Sequence, residues 1–445
     1  MPRIFRNVWI FDGSGNARFP GEVRVEGNRV TAVAKGDEKV PRDGAEVVDG
    51  QEATLMPGLC EPHAHITFTD MFDIRDLGNT PPEEHLMLTM HNARKMLDVG
   101  YTSLYSAASV KLRTEIVIRN EINAGRIPGP RLRAASPEIV ATGGLGDERQ
   151  MHMYHQSVEL VADGVEELRR TVRTCIREGV DQIKLNISGD EFVRPGHGEV
   201  TTYTEAEVRA AADEAQENGV WLSCHSRSDK SVRIALNCGF RVLYHCEYST
   251  DETLDLLEAA KDRIFMAPAV GANYRLANHS EKWGITPGTE AWEGAKKTVD
   301  STIETYTKLR KRGVRVMPGG DYGFAFNPIG TNARDLELFV KLLGYSPAEV
   351  LRSVTLLGGQ IMGMPDLGLI KENFLADLLL VDGDPTADIT LLQDPENLLM
   401  VMKDGQYHKA PQVRRQKEKN SNTSQLQVHV ARSNSRAGIA AAVAS

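Results

Sequence analysis

Short apolar runs alternating with longer helix-period stretches constrain this chain more than any other feature. The strand candidates are Leu55–His65, Thr102–Ala107, Arg131–Ala135, Gln182–Ile187, Val220–His225, Val242–His245, Ile264–Ala267 and Val314–Pro318. Between them, helical periodicity is clearest over Pro82–Val99, Val165–Glu178, Thr204–Asn218, Asp251–Ala260 and Thr298–Arg312, and Ser346–Leu357 with its neighbours reads as later helix. Strands separated by helices run parallel through right-handed crossovers. Eight of them are the count for a closed barrel. The expected fold is therefore α/β, a (β/α)8 TIM-like barrel over residues 55–365.

The two ends read differently. Residues 1–54 hold the short strands Arg3–Ile10, Gly21–Val25, Arg29–Ala34 and Ala45–Asp49, parted by turns such as Asp12-Gly13-Ser14-Gly15 and Gly27-Asn28. The pattern returns over residues 366–410, where Ala376–Val381 meets Asp382-Gly383-Asp384-Pro385 and Leu398–Lys403 meets Asp404-Gly405. Either end alone would make a poor domain, so the two are expected to combine as one small β-sandwich. From Val413 to Ser445 there are six basic residues and one acidic, with many Ser, Asn and Gln. A disordered tail over 411–445 is expected, with the last strand ending before Tyr407.

Composition narrows the function. The apolar fraction of 41% and charged fraction of 25% are those of a soluble globular protein, and no apolar run approaches the ~18–20 residues of a membrane span. A net charge of −9 argues against a nucleic-acid partner. Five cysteines, an odd number without paired spacing, suit reduced thiols. The start, Met1-Pro2-Arg3-Ile4-Phe5-Arg6, lacks the apolar stretch of a secretory signal. A cytoplasmic protein acting on a small molecule is the expectation.

In a parallel barrel, chemistry collects at the carboxyl ends of the strands. His63 and His65, one residue apart, point to the same side of a strand and can reach one cation. Lys184 lies in a strand among Ile183, Leu185 and Ile187, and His225, His245 and Asp321 close later strands. Gly319-Gly320 before Asp321 would let backbone approach a ligand. Each residue alone has a structural alternative: a hydrogen-bonded core histidine, a turn cap, or a lysine stem reaching solvent. Six such groups at five strand ends are harder to assign to chance.

With these residues in hand, the chain resembles the metal-dependent amidohydrolase superfamily over nearly everything before residue 410. The entry Leu55-Met56-Pro57-Gly58-Leu59 with His63 and His65, and the exit Phe374-Leu375-Ala376-Asp377-Leu378-Leu379-Leu380-Val381, carry the likeness. The resemblance implies two divalent metal ions, usually zinc and sometimes cobalt, manganese or iron. His63, His65 and Asp321 would hold one, His225 and His245 the other, and a carbamate on Lys184 would bridge both. A shared hydroxide would attack, with Asp321 moving the proton to the leaving nitrogen. Such barrels also often form homo-oligomers.

Within the superfamily the prolidase and imidazolonepropionase branch is most similar, and the hydrolases of phenylurea herbicides and of molinate more so. Ala135-Ser136-Pro137 leading to Thr142-Gly143-Gly144-Leu145-Gly146-Asp147-Glu148-Arg149, Lys184-Leu185-Asn186-Ile187-Ser188-Gly189-Asp190, and Gly319-Gly320-Asp321-Tyr322-Gly323-Phe324-Ala325-Phe326 suggest this. Leu145 stands where many prolidase-like members resemble Gly-Gly-His-Gly-Asp. Tyr105, Arg149, His152, Asn273, Tyr274, Tyr322, Phe324 and Phe326 are the candidate substrate contacts, with loop packing as the alternative for the aromatics. The expected reaction is hydrolysis of a C–N bond in a neutral amide, urea or carbamate. N-acyl amino acids or dipeptides, with Arg149 as carboxylate partner, are the alternative substrates. A mononuclear deaminase or decarboxylase and a non-catalytic binding protein are rival readings.

Overall fold

The structure, a computed structural model, describes residues 1–149, 151–152 and 158–414. The chain opens with β1 (Arg3–Ile10), β2 (Phe19–Glu26), β3 (Arg29–Lys35), β4 (Glu46–Asp49) and β5 (Thr54–Pro57). An α/β body follows with β6 (Leu59–Ala64), β7 (Tyr101–Ser106), β8 (Arg131–Arg133), β9 (Ala135–Val140), β10 (Leu160–Val161), β11 (Gln182–Asn186), β12 (Trp221–Ser228), β13 (Val242–Tyr248) and β14 (Phe265–Ala267). The chain then returns with β15 (Leu378–Val381), β16 (Leu398–Lys403) and β17 (Gln406–Lys409).

Both ends enter one eight-stranded sheet in the order β17-β16-β15-β5-β1-β2-β3, with β4 also on β1. The ends meet where β15 pairs antiparallel with β5, from Leu378 opposite Pro57 to Val381 opposite Thr54. Phe5, Val23, Leu55, Leu378, Leu380, Met400 and Met402 pack together there, so neither end buries its apolar face without the other. The sheet runs further than the sequence suggests: β17 carries it past Tyr407, and Gln412 N still donates to Leu399 O at 2.9 Å. Residues 415–445, most of the expected tail, lie outside the described residues.

Three of the eight expected strands are not single strands. Leu55–His65 divides at Gly58, whose N–H donates to Asp377 O at 2.9 Å. The first half joins the terminal sheet and the second starts the body. A Cβ at Gly58 would come within 2.1 Å of Thr102 Oγ1, so only glycine permits this close crossing. Arg131–Ala135 breaks at Ala134, whose N–H is taken by Asp181 Oδ2 at 2.8 Å while Asp181 N donates to Ala134 O at 2.8 Å. Val314–Pro318 forms no named strand. It meets β14 through a single bridge from Val316 to Met266 before Pro318 and two glycines end the pairing.

The body's ladders are parallel, as expected: β6-β7-β8 in one sheet and β10-β9-β11-β12-β13-β14 in another. Among the described residues, these hydrogen-bonded ladders do not close into a ring. The helices flank the body. α1 (Pro82–Asp98), α2 (Thr114–Asn123), α3 (Gly164–Glu178), α4 (Glu205–Glu217), α5 (Asp229–Asn237), α6 (Asp251–Ala259), α7 (Val270–Asn278) and α8 (Glu290–Lys311) precede α9 (Arg334–Leu343), α10 (Pro347–Val354) and α11 (Leu356–Ile361). Capping boxes, Thr204 with Glu207 and Ser346 with Glu349, satisfy the first amides of α4 and α10. Among the described residues, no helix is long and apolar enough to cross a membrane.

Arg131 on β8 ties the body to the terminal sheet. Its guanidinium makes paired bonds of 2.9 and 3.0 Å to buried Asp377 and also reaches Asp404. Arg131→Ala leaves Asp377 buried and uncompensated, so a loss of about 3–5 kcal/mol is expected in denaturant unfolding. The double variant Arg131→Met/Asp377→Leu should recover part of it.

Candidate metal centre and substrate cavity

Strand alternation aims most of the candidate ligands. In β11, Ile183 and Leu185 enter the apolar core, while Gln182, Lys184 and Asn186 share the other face. Ser223 on β12 bonds Gln182 Oε1, and two positions on come His225 and then Arg227, both lining the same cavity. In β13, Tyr244 packs toward β6, its hydroxyl donating to Pro62 O at 2.9 Å. Simple alternation would send His245 away. It does not go, because His245 and Cys246 are left-handed (φ 72° and 63°), which turns the strand and brings His245 to the cavity as well. Tyr306 on α8 donates to the His245 carbonyl and holds it there. Asp321 is likewise left-handed (φ 57°), with Asn327 Nδ2 bonding the carbonyls of Gly320 and Asp321 at 2.9 and 3.2 Å.

The six candidate ligands line one cavity, together with Phe68, Glu138, Leu145, Asp190, Phe192, Arg227, Asn273, Leu276, Phe324 and Phe326. One group is prearranged for a cation: ligand atoms of His63, His65 and Asp321 lie within 4.8 Å of one another. His65 Nε2 is 3.2 Å and His63 Nε2 3.7 Å from Asp321 Oδ1. His65 Nδ1 lies 3.3 Å from Ala108 O, and donation there leaves a lone pair on Nε2 facing a carboxylate. Two acceptors in that relation need a positive centre between them. Nδ1 of His63 and of His245 are buried without a hydrogen-bond partner among the described residues. The rings are fixed from behind: His63 stacks on Tyr244 (3.9 Å between centroids) and His65 on Phe68 (4.2 Å).

The other candidate ligands are close but differently engaged. The His225 and His245 rings lie 4.2 Å apart, and His225 Nε2 is 2.9 Å from Gly189 O. Lys184 Nζ is buried, 3.2 Å from Glu138 Oε1 and 4.8 Å from the centre of the Tyr244 ring. Glu138 also accepts from Asn186 Nδ2 at 2.8 Å. Nothing in the sequence motifs marks Glu138, because the third strand is expected to end at Ala135, whereas β9 runs on to Val140.

Burial disfavours the charged form of three of the histidines. Burial pulls His225 down to about 4, and burial puts His63 and His245 well below their ordinary value. Burial alone would raise Asp321, but His63 and His65 outweigh it and hold the carboxyl well below the usual range. Beside them lies a fully buried charge network. Arg227 Nε donates to Asp190 Oδ2 at 2.7 Å and its Nη1 pairs with Glu247. Asp190 closes one of the quoted loop stretches without a role assigned to it, and Glu247, near the end of β13, lies in none of them.

The substrate-contact candidates divide. Asn273, Phe324 and Phe326 line the cavity; the two phenyl rings stack at 5.3 Å, and Asn273 Nδ2 has no partner among the described residues. Tyr105 does not reach it: fully buried, it bonds Gln182 Oε1 at 3.2 Å and packs near Trp221, which begins β12. Tyr322, turned away by the backbone at Asp321, donates to Asp335 Oδ1 at 3.1 Å. Tyr274 opens on a separate cleft beside Tyr322. Arg149 lies in an outer vestibule, clamped by Asp147 at 2.7 Å, and His152 is exposed. Phe68, Phe192 and Leu276 were not foreseen, since nothing in their local sequence distinguishes them from core.

Comparison with known proteins places this geometry. Residues 54–407 match the amidohydrolase family. Ochratoxinase of Aspergillus niger is 26% identical over 379 residues, covering 81% of this chain and 76% of that protein. A Xaa-Pro dipeptidase structure superposes with a TM-score of 0.80 at 24% identity, over 92% of this chain and 100% of the other. Molinate hydrolase (TM-score 0.76, 17% identity, 91% and 94% covered) and phenylurea hydrolase B (0.73, 21%, 92% and 96%) share the fold. These neighbours imply a TIM-like barrel with a sheet domain, in keeping with the parallel ladders and the terminal sheet. Since the matched region takes in the whole body and the strands β5, β15 and β16 that join it to the terminal sheet, the chain belongs to the amidohydrolase family.

Proposed function

We propose that this chain is a binuclear metal-dependent hydrolase that cleaves the C–N bond of a neutral aryl or alkyl amide, urea or carbamate. The observation that carries the reading is the convergence of His63, His65, Asp321, His225, His245 and Lys184 on one cavity walled by phenylalanines. In this reading the two parallel ladders are arcs of one eight-stranded barrel, with Val314–Pro318 as the eighth staves' remnant. Residues 55–365 form the catalytic body, and residues 1–54 with 366–410 form the sheet that supports it. A cytoplasmic homo-oligomer is the expected setting.

His63, His65 and Asp321 suit one divalent ion, zinc first and cobalt, manganese or iron after it, and His225 with His245 a second. Ions held there would lower the pKa of a water and polarise the scissile carbonyl. The chain's own groups do the rest. Asp321 is ionised and so can take a proton and hand it to the leaving nitrogen. Phe68, Phe192, Phe324 and Phe326 bury an apolar substituent and exclude water, and the unpaired Asn273 amide offers a donor to a substrate carbonyl. Lys184 can take up carbon dioxide only as the free amine, so carbamate formation requires its contact with Glu138 to yield. That links carboxylation to metal loading.

Charge pairing supports a neutral substrate. Each cation of the cavity wall is already answered by an acid, Arg227 by Asp190 and Glu247 and Lys184 by Glu138, and Arg149 is held outside the cavity by Asp147. Among the described residues, a free carboxylate would find no unused cationic side chain in the cavity to offset its desolvation. The names ochratoxinase and Xaa-Pro dipeptidase point instead to the alternative of N-acyl amino acid or dipeptide hydrolysis.

Metal analysis of the purified protein, with kcat/KM for an N-aryl urea, a carbamate, an anilide and an N-acyl amino acid, tests the reading. About two metals per chain and preference for the neutral compounds are expected. Preference for the free-carboxylate compound moves the assignment to the alternative. About one metal points to a mononuclear enzyme, and none to a binding protein. Asp321→Asn should lower kcat by about 10²–10⁴-fold. Lys184→Ala should lose metal and activity together, and 13C-bicarbonate labelling of the metal-loaded wild type should give a carbamate signal that this variant lacks.

The neutral histidines also set a pH dependence for the metal-free chain. His225 falls from 6.5 to about 4 in the folded state, so between those values the unfolded chain binds the extra proton. Stability then rises with pH across that window and is lost on acidification. Urea midpoints in chelator should fall between pH 7 and pH 4.5, and His225→Gln should flatten the slope.

A further inference from the structure

A second cleft lies behind Asp321, opposite in character to the substrate cavity. Arg275 on α7 and Arg334 at the start of α9 face it, with Tyr274, Tyr322 and Asn327. Lys341 and Glu337 also line it but are paired with each other, and Glu337 takes a second bond from Gln393 Nε2 at 2.8 Å. The two guanidiniums are not answered. Arg275 Nε donates to Phe326 O at 3.0 Å, and among the described residues no carboxylate lies against either arginine. Burial and, after it, the neighbouring Arg334 charge pull Arg275 below its ordinary value.

The contrast with the rest of the chain matters. Elsewhere Arg131 is paired with Asp377, Arg149 with Asp147 and Arg227 with Asp190. The protein carries a net charge of −9, so acids are plentiful. Two unpaired guanidinium forks in one cleft repel each other, and a planar or tetrahedral oxyanion between them relieves that repulsion through charge-assisted, bidentate bonds. The phenol of Tyr274 adds a hydrogen-bonding group.

We propose that this cleft is a binding site for a small oxyanion of the phosphate type, separate from the metal centre. It does not depend on which C–N bond the metal centre cleaves. The site is wired to that centre by three hydrogen bonds already present. Arg275 holds the carbonyl of Phe326, whose ring walls the cavity, and Asn327, which lines the cleft, holds the carbonyls of Gly320 and Asp321.

Crystals of the metal-loaded full chain soaked in selenate locate the anion by anomalous scattering, which separates an ion on the metals from one in the cleft. A peak between Arg275 and Arg334 is expected. In solution, calorimetric titration with inorganic phosphate should show saturable binding at about 1 mM or tighter, weakened about tenfold or more by Arg334→Ala and less by Arg334→Lys. Metal content and turnover without phosphate should stay at the wild-type level in both variants. Acetate in place of phosphate distinguishes a carboxylate site, and tighter acetate binding would overturn the phosphate class. Selenate only at the metals, or phosphate titrations of Arg334→Ala matching wild type, would overturn the site itself. Should Arg334→Ala fold poorly, Arg334→Gln carries the same comparison.

Discussion

Two residues of the cavity reach it only because their backbones are left-handed. His245 and Asp321 have φ values of 72° and 57°, a conformation that costs of order 1–3 kcal/mol for a residue with a side chain. The strain persists because the surroundings over-determine it. Tyr306 fixes the His245 carbonyl and Asn327 fixes the carbonyl of Asp321. An extended backbone at His245 would return the ring to the outer face and leave only Tyr244 on the inner one. The local price is offset by hydrogen bonds from a helix and a loop that never touch the cavity's contents.

Around these two points, charge is arranged in closed groups. Asp190, Arg227 and Glu247 compensate one another in full burial, and Lys184 with Glu138 does the same nearer the rings. Buried ions paired this way add little net stability but fix geometry, since losing either partner strands the other. Burial disfavours the charged form of His63, His225 and His245, and Asp321 is left as an anion without a formal cation against it. That combination suits the capture of a positive ion better than it suits an empty core.

Much of this was legible in the chain, for identifiable reasons. His63, His65, Lys184 and His225 follow from alternation along strands, and period-2 and period-3.6 patterns placed those strands and most helices. The pairing of the two ends was readable because neither could bury its apolar face alone. What escaped depended on contacts between distant segments. The splits at Gly58 and Ala134 arise from Asp377 and Asp181, and the fading of the last strand from Pro318 and two glycines. Tyr105 and Tyr322 were placed correctly along the chain, but their side chains turn toward Gln182 and Asp335. Glu138 was hidden by a strand that runs on to Val140, five residues further than its hydrophobic pattern indicates, because neighbours on both sides lend it partners.

The division at Gly58 has a consequence for how the chain is made. The run that delivers His63 and His65 begins as an inner strand of the terminal sheet, pinned on one side by β1 and on the other by β15. β15 is synthesised only after the whole body. Until then β5 is a bare edge, with unpaired amides beside an apolar face. The earliest metal-type residues in the sequence are thus among the last to be locked, and contacts of such sequence separation form slowly. During synthesis this stretch is where a nascent chain most needs shielding from its neighbours, and the final strands act as a clasp that ends the exposure.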